Sequence, residues 1–132
     1  QFKQIVLKIG KKDAIRYARA SGDNNPIHTN YIIARAAGFK KPVLQGMYLL
    51  GLIYTKLTEL QSGLQAKPHS ISCRFSGISY PGDNLDLEFA TRPGQDLNLE
   101  FNVINSNGKK VIKEGHFESF SLHDRKFETK DT

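Results

Sequence analysis

The chain is expected to fold as an α+β domain, with an antiparallel sheet wrapped around one long central helix. Three features point there. Apolar residues crowd Leu44 to Leu64 around most of a helical circumference. Four later segments alternate apolar and polar residues with period two. Short turn signals separate those four, which implies antiparallel neighbours rather than long crossovers.

Gln4 to Ile9 reads as a strand, because Ile5, Leu7 and Ile9 alternate with polar neighbours. Lys11 to Ala20 reads as a helix, with Ala14, Ile15, Tyr17 and Ala18 near helical spacing. The string Ser21-Gly22-Asp23-Asn24-Asn25-Pro26 stops it, and Pro26 biases Asn25 away from helix. A short helix over Tyr31 to Ala37 ends at Gly38. In the central segment the pattern predicts one helix of roughly 18 residues, buried on nearly every side. Gly46 and Gly51 weaken that helix, so each is expected to have a packing or close-approach reason. Strands are expected over His69 to Ile78, Asn84 to Thr91, Leu97 to Asn105 and Lys109 to Leu122. Tyr80-Pro81-Gly82-Asp83, Arg92-Pro93-Gly94-Gln95 and Asn107-Gly108 separate them, the last being a strong hairpin signal. Cys73 alternates with Ile71 and Phe75 and reads as a small core residue.

At 132 residues the chain is expected to form a single domain, 1–132, with a charged tail from His123 that frays. A hydrophobic share of 39% with 24% charged residues suits a soluble globular protein and excludes a disordered one. The single cysteine excludes a disulfide framework and a Cys-rich zinc site. No run of apolar residues is long enough to span a bilayer, so no membrane partner is expected. The chain begins at Gln1 and has its one methionine at Met47, as expected of a trimmed start or of a piece of a longer protein. A cytoplasmic location is expected, with an organellar one left open. Nineteen basic residues against 13 acidic ones give a net charge of +6, which favours anionic partners. Phosphorylated cofactors and acidic carrier proteins fit that charge. Nucleic acid ranks last, since the basic pairs are scattered and no basic and aromatic platform is visible.

The chemistry concentrates where Asp23 and His28 stand five residues apart, on a loop stiffened by Gly22, Asn25 and Pro26. A carboxylate and an imidazole held together suit general acid–base work on a water molecule. Asn25 is positioned to orient either side chain. A turn bonding its own backbone is the plainer reading of the same string. Asp23, His28 and His69 lack a diagnostic metal spacing, and no metal is expected.

The run from Tyr17 through Ser21-Gly22-Asp23-Asn24-Asn25-Pro26-Ile27-His28, with Ala34 after five more residues, resembles the signature of the MaoC-like, (R)-specific enoyl-CoA hydratases and dehydratases. Pro42-Val43-Leu44-Gln45-Gly46-Met47 resembles the family's lead-in to its central helix, and Phe75 with Tyr80 to Asp83 resembles its next strand and turn. The resemblance implies a hot-dog fold and hydration of trans-2-enoyl thioesters of coenzyme A or acyl carrier protein to (R)-3-hydroxyacyl thioesters, or the reverse dehydration. It implies no cofactor apart from the coenzyme A or phosphopantetheine carried by the substrate. It assigns Asp23 and His28 as the catalytic pair, Asn25 as the accompanying asparagine and Gly46 as the backbone donor to the thioester oxygen. Gly46 near a helix N-terminus also has an independent physical reason to stabilise developing negative charge.

The family commonly has His where this chain has Gln45, and often a small residue or Ser near Tyr54, which bears on the acyl tunnel. Two alternatives follow, an acyl-CoA thioesterase on the same fold or a non-catalytic acyl-thioester-binding module. Lys40, Lys41 and Arg74 are candidates to meet the phosphates of the substrate. Open sheet edges, together with the family's habit of pairing, lead to the expectation of a homodimer.

Overall fold

The computed structural model describes residues 2–122, so the frayed tail expected from His123 lies outside the described residues. Strand β1 (Lys3–Lys8) is followed by α1 (Asp13–Ser21), a 3-10 turn at Pro26–His28, α2 (Tyr31–Ala36) and the central helix α3 (Gly46–Leu60). A second 3-10 turn (Ser62–Leu64) leads into β2 (Ala66–Phe75), β3 (Asn84–Arg92), β4 (Gln95–Ile104) and β5 (Lys110–Ser121). All five strands form one antiparallel sheet in the order β1-β3-β4-β5-β2. This is the α+β architecture expected from the apolar helix and the alternating strands.

The sheet buries one face against α3. Leu7, Leu85, Leu87, Phe101, Val103, Ile112 and Phe117 pack with Leu49, Ile53 and Leu57 of the helix. Those three helical positions are four apart, so they form a single stripe. The helix is therefore not buried on nearly every side as its composition suggested. Met47 is 62% exposed, Leu60 46% and Tyr54 40%. Gly51 sits on that open side, where an added Cβ would meet nothing within 4 Å, so the expected packing reason is not found among the described residues. The helix is also shorter than expected, at 15 residues. Leu44 is spent on an extended contact, its N–H donating to the carbonyl of Ser79 at 2.9 Å, and the helix begins two residues later.

The strand limits shift in an intelligible way. β2 starts at Ala66 and includes Pro68, which an edge strand tolerates because its missing N–H removes no inner ladder bond. Beyond Phe75 the pairing stops, and Ser76 and Gly77 both donate to Val111 instead. The Asn107-Gly108 hairpin forms as read, with Gly108 at φ +81°. β5 carries a bulge opposite Phe101, with Glu114 at φ +54°. Gly115 lies directly against the Phe101 ring, and a Cβ there would come within 2.5 Å of it.

Several contacts fasten α1 to the start of α3. The hydroxyl of Tyr48 donates to Oδ2 of Asp13 at 2.9 Å, and the same oxygen accepts from the Gly10 N–H at 2.8 Å. The rings of Tyr17 and Tyr48 meet edge to face at 5.4 Å. At the far end of α3, buried Gln61 donates to the Leu97 carbonyl and accepts from the Ser119 hydroxyl, tying the helix to β4 and β5. Among the described residues no helix is long and apolar enough to cross a membrane.

Gly115→Ala should destabilise the domain by about 1–3 kcal/mol in urea unfolding, because the Phe101 ring is buried and has little room to retreat. Burial first, and then the bond to Asp13, hold the Tyr48 phenol above its ordinary pKa. The folded state thus favours the neutral phenol. That contribution is complete below the unfolded pKa and disappears as pH rises through the folded one. Tyr48→Phe should lose about 1 kcal/mol at neutral pH, and its deficit against wild type should shrink as denaturation is repeated at increasingly alkaline pH.

Candidate active site

The loop between α1 and α2 is built almost entirely from local hydrogen bonds. Gly22 ends α1 in the left-handed region at φ +77°, donating its N–H to the Ala18 carbonyl. The Ser21 hydroxyl donates to the Tyr17 carbonyl and accepts from the Asp23 N–H. The Asn25 N–H donates to Oδ1 of Asp23 at 3.2 Å, and Oδ1 of Asn25 accepts from the Ile27 N–H at 3.2 Å. Asn25 thereby steers the carboxylate with its backbone and caps the Pro26–His28 turn with its side chain. Sequence reasoning placed Asp23, Asn25 and His28 on a turn-forming loop and did not foresee the 3-10 helix within it. An Asx cap followed by proline at the first helical position was the available signal for the 3-10 turn.

That turn aims His28. Its Nδ1 lies 2.8 Å from the Val43 carbonyl, and its Nε2 lies 3.6 Å from Oδ2 of Asp23. A carbonyl oxygen only accepts, so Nδ1 carries the proton, and a neutral ring presents its Nε2 lone pair toward Asp23. The separation of 3.6 Å is too long for a good direct hydrogen bond. It suits two groups that share a third atom between them. The imidazole is 11% exposed and the carboxylate 43%, so the pair opens to solvent on the acidic side. The two residues expected to work together are therefore neighbours.

His28 also lines a cavity of about 390 Å³, with Lys11, Ile15, Tyr31, Lys41 and Pro81 among its walls. Gly46 is the first residue of α3, and the first intrahelical bond runs from the Leu49 N–H to the Gln45 carbonyl. The amides that precede Leu49 in the helix are thus the unpaired donors of its N-terminus. Gly46 borders a second, smaller cavity of about 190 Å³, with Gln45, Ser79 and Phe75. Within one chain the two cavities are separate, so the structure does not bring Gly46 and His28 into a single pocket. An added Cβ at Gly46 would approach the Phe75 ring at 3.2 Å, which supplies the close approach expected for this glycine.

Gln45 is 3% exposed. Its Nε2 donates to the Ala14 carbonyl at 2.8 Å, which fixes the amide orientation and turns Oε1 away, with no partner among the described residues. Asp83 serves its turn, accepting from the Tyr80 N–H at 2.9 Å. Arg74 stands 3.7 Å from Glu114 on β2 and β5, while Lys40 and Lys41 lie over the Tyr80 ring at 4.9 and 5.5 Å. His69 packs edge to face with Phe120. Cys73 is half-buried against the core, and burial raises its thiol pKa. Among the described residues, no group of three His, Cys, Asp or Glu side chains is arranged to hold a metal ion.

Comparison with known proteins agrees with this geometry. The 3-hydroxyacyl-thioester dehydratase Y of Mycobacterium tuberculosis is 35% identical over 104 residues, 76% of this chain and 36% of that protein. The peroxisomal multifunctional enzyme type 2 of Drosophila melanogaster is 33% identical over 102 residues, 76% of this chain and 17% of that protein. The chain thus spans little more than a third, at most, of the length of these relatives. The solved (R)-hydratase of A. caviae superposes with a TM-score of 0.74 over 89% of this chain and 92% of that one; at 21% identity the likeness is one of fold. The family model described as the MaoC like domain matches residues 2–116, and together with the five-stranded sheet around the central helix this places the chain in the MaoC-like family, with its hot-dog fold.

Proposed function

We propose that this domain adds water across the double bond of trans-2-enoyl thioesters to give (R)-3-hydroxyacyl thioesters, and runs the reverse dehydration. The observation that carries the reading is the Asp23–His28 pair, 3.6 Å apart at Nε2, with Nδ1 held by the Val43 carbonyl. Both side chains hold one water. His28 Nε2 takes a proton from it as the oxygen bonds to C3. The π electrons of the double bond move onto the thioester oxygen as an enolate, and the proton on the imidazolium then passes to C2. Protons and electrons balance, with Asp23 holding the water and stabilising the imidazolium in between. The enolate oxygen needs a donor, and the Gly46 amide at the start of α3 supplies one.

The two separate cavities give this reading a structural requirement, namely a second copy that completes the wall between them. We infer a homodimer. The support is the apolar side chains that one chain leaves uncovered, Phe75, Ile78, Met47 and Leu64 each being more than 40% exposed, together with the open edge of β2. Thioester hydrolysis on the same fold is the competing reading, and its product is a free thiol.

With crotonyl-CoA, Asp23→Asn and His28→Ala should each lower kcat by about 10²–10⁴-fold, followed as loss of enoyl absorbance. Full activity in either variant, or thiol release without hydration in wild type, would refute the assignment. Light scattering at micromolar concentration should give twice the chain mass; a monomer that turns over substrate would remove the need for a partner.

A further inference from the structure

The cavity that His28 lines carries more positive than negative charge, with Lys11 and Lys41 against Asp83 alone. Lys11 and Lys41 form part of its wall, and Lys40 lies beside it. Lys40 and Lys41 both lie over the Tyr80 ring, with ammonium groups 4.9 and 5.5 Å from its centre. The stem of Lys11 runs along the Gly82 turn. None of the three lysines has an ion-pair partner among the described residues. The one carboxylate lining the cavity, Asp83, is engaged by the Tyr80 N–H. Gathering ammonium groups this way costs self-repulsion, which the aromatic face offsets only in part. A cleft with an excess of one sign of charge favours a ligand of the other sign.

Resting on the proposed hydration of thioesters, we infer that Lys11 and Lys41 bind the phosphates of the nucleotide end of coenzyme A, so that the substrates are CoA thioesters. The shape favours this over a carrier protein. These lysines line a concavity of about 390 Å³, which a slender polyphosphate enters and a folded protein does not. Ile15, Pro42 and Pro81 supply apolar walls, and Tyr31, 56% exposed, offers an aromatic face at the rim. The cavity leads to His28, so a handle held at the lysines delivers its acyl end toward the catalytic pair.

The test separates handle from chemistry. Unacylated CoA, adenosine 3′,5′-bisphosphate and pantetheine are titrated calorimetrically into wild type and the Lys11→Ala/Lys41→Ala variant, at low and high salt. The variant should bind CoA and the bisphosphate about tenfold more weakly, with wild-type affinity falling as salt rises, while pantetheine binding stays within about twofold. In turnover, KM for crotonyl-CoA should rise about tenfold against little change for crotonyl-pantetheine, and Lys11→Arg/Lys41→Arg should restore most of the loss. Equal CoA affinity in wild type and the alanine variant would overturn the inference. So would a loss confined to crotonyl thioesters of carrier protein. If neither crotonyl substrate is hydrated while CoA binding still depends on the lysines, the hydratase reading fails and the phosphate site stands.

Discussion

A short extended segment, Pro42 to Gln45, is the joint on which the site depends. The Val43 N–H donates to the Ile27 carbonyl, the Val43 carbonyl accepts from His28 Nδ1, and the Leu44 N–H donates to Ser79. These bonds hold the segment between the 3-10 turn on one side and the loop before β3 on the other. They fix where α3 begins, because a residue held in an extended ladder cannot enter a helix. They also fix the tautomer and direction of the imidazole. Neighbouring peptide groups of one segment thus set both the orientation of the His28 imidazole and the point at which α3 begins.

Around that joint the polar groups are used sparingly. Two buried glutamines mark the ends of α3. Gln61 satisfies both halves of its amide and anchors the helix to the sheet, whereas Gln45 anchors α1 with its nitrogen and leaves its oxygen unpaired beside the Gly46 cavity. A buried acceptor without a partner is costly. It lies at the N-terminal end of the helix, beside the cavity that Gly46 borders. The sheet covers one face of α3 and leaves Met47, Tyr54 and Leu60 exposed on the remainder of the helix.

Much of the fold could be read from residue pattern. The period-two alternation of Leu85, Leu87 and Phe89 survives as buried positions on β3, and the glycines of the hairpin turns take the positive φ that the turns require. The signature from Tyr17 to Ala34 carried the site because nearly every bond in that loop is local. Ser21, Gly22, Asp23 and Asn25 bond to residues within four positions of themselves. Local chemistry of that kind is written along the chain.

What could not be read there depends on partners distant in sequence. Composition made α3 look buried all round, but burial is settled by where the sheet lies, and a sheet can cover only one face of a helix. The bond from His28 to Val43 spans 15 residues, the bond from Gln45 to Ala14 spans 31, and neither leaves a trace in spacing. The basic cleft is the same case, since Lys11, Lys41 and Tyr80 are scattered along the chain and meet only when the loops they belong to converge. Residue order thus determined the elements, the turns and the loop that carries Asp23 and His28, whose interactions are short-range. Packing decided which face of the helix is open, which nitrogen of the imidazole is free and where unpaired charge collects, because those are properties of contacts between segments.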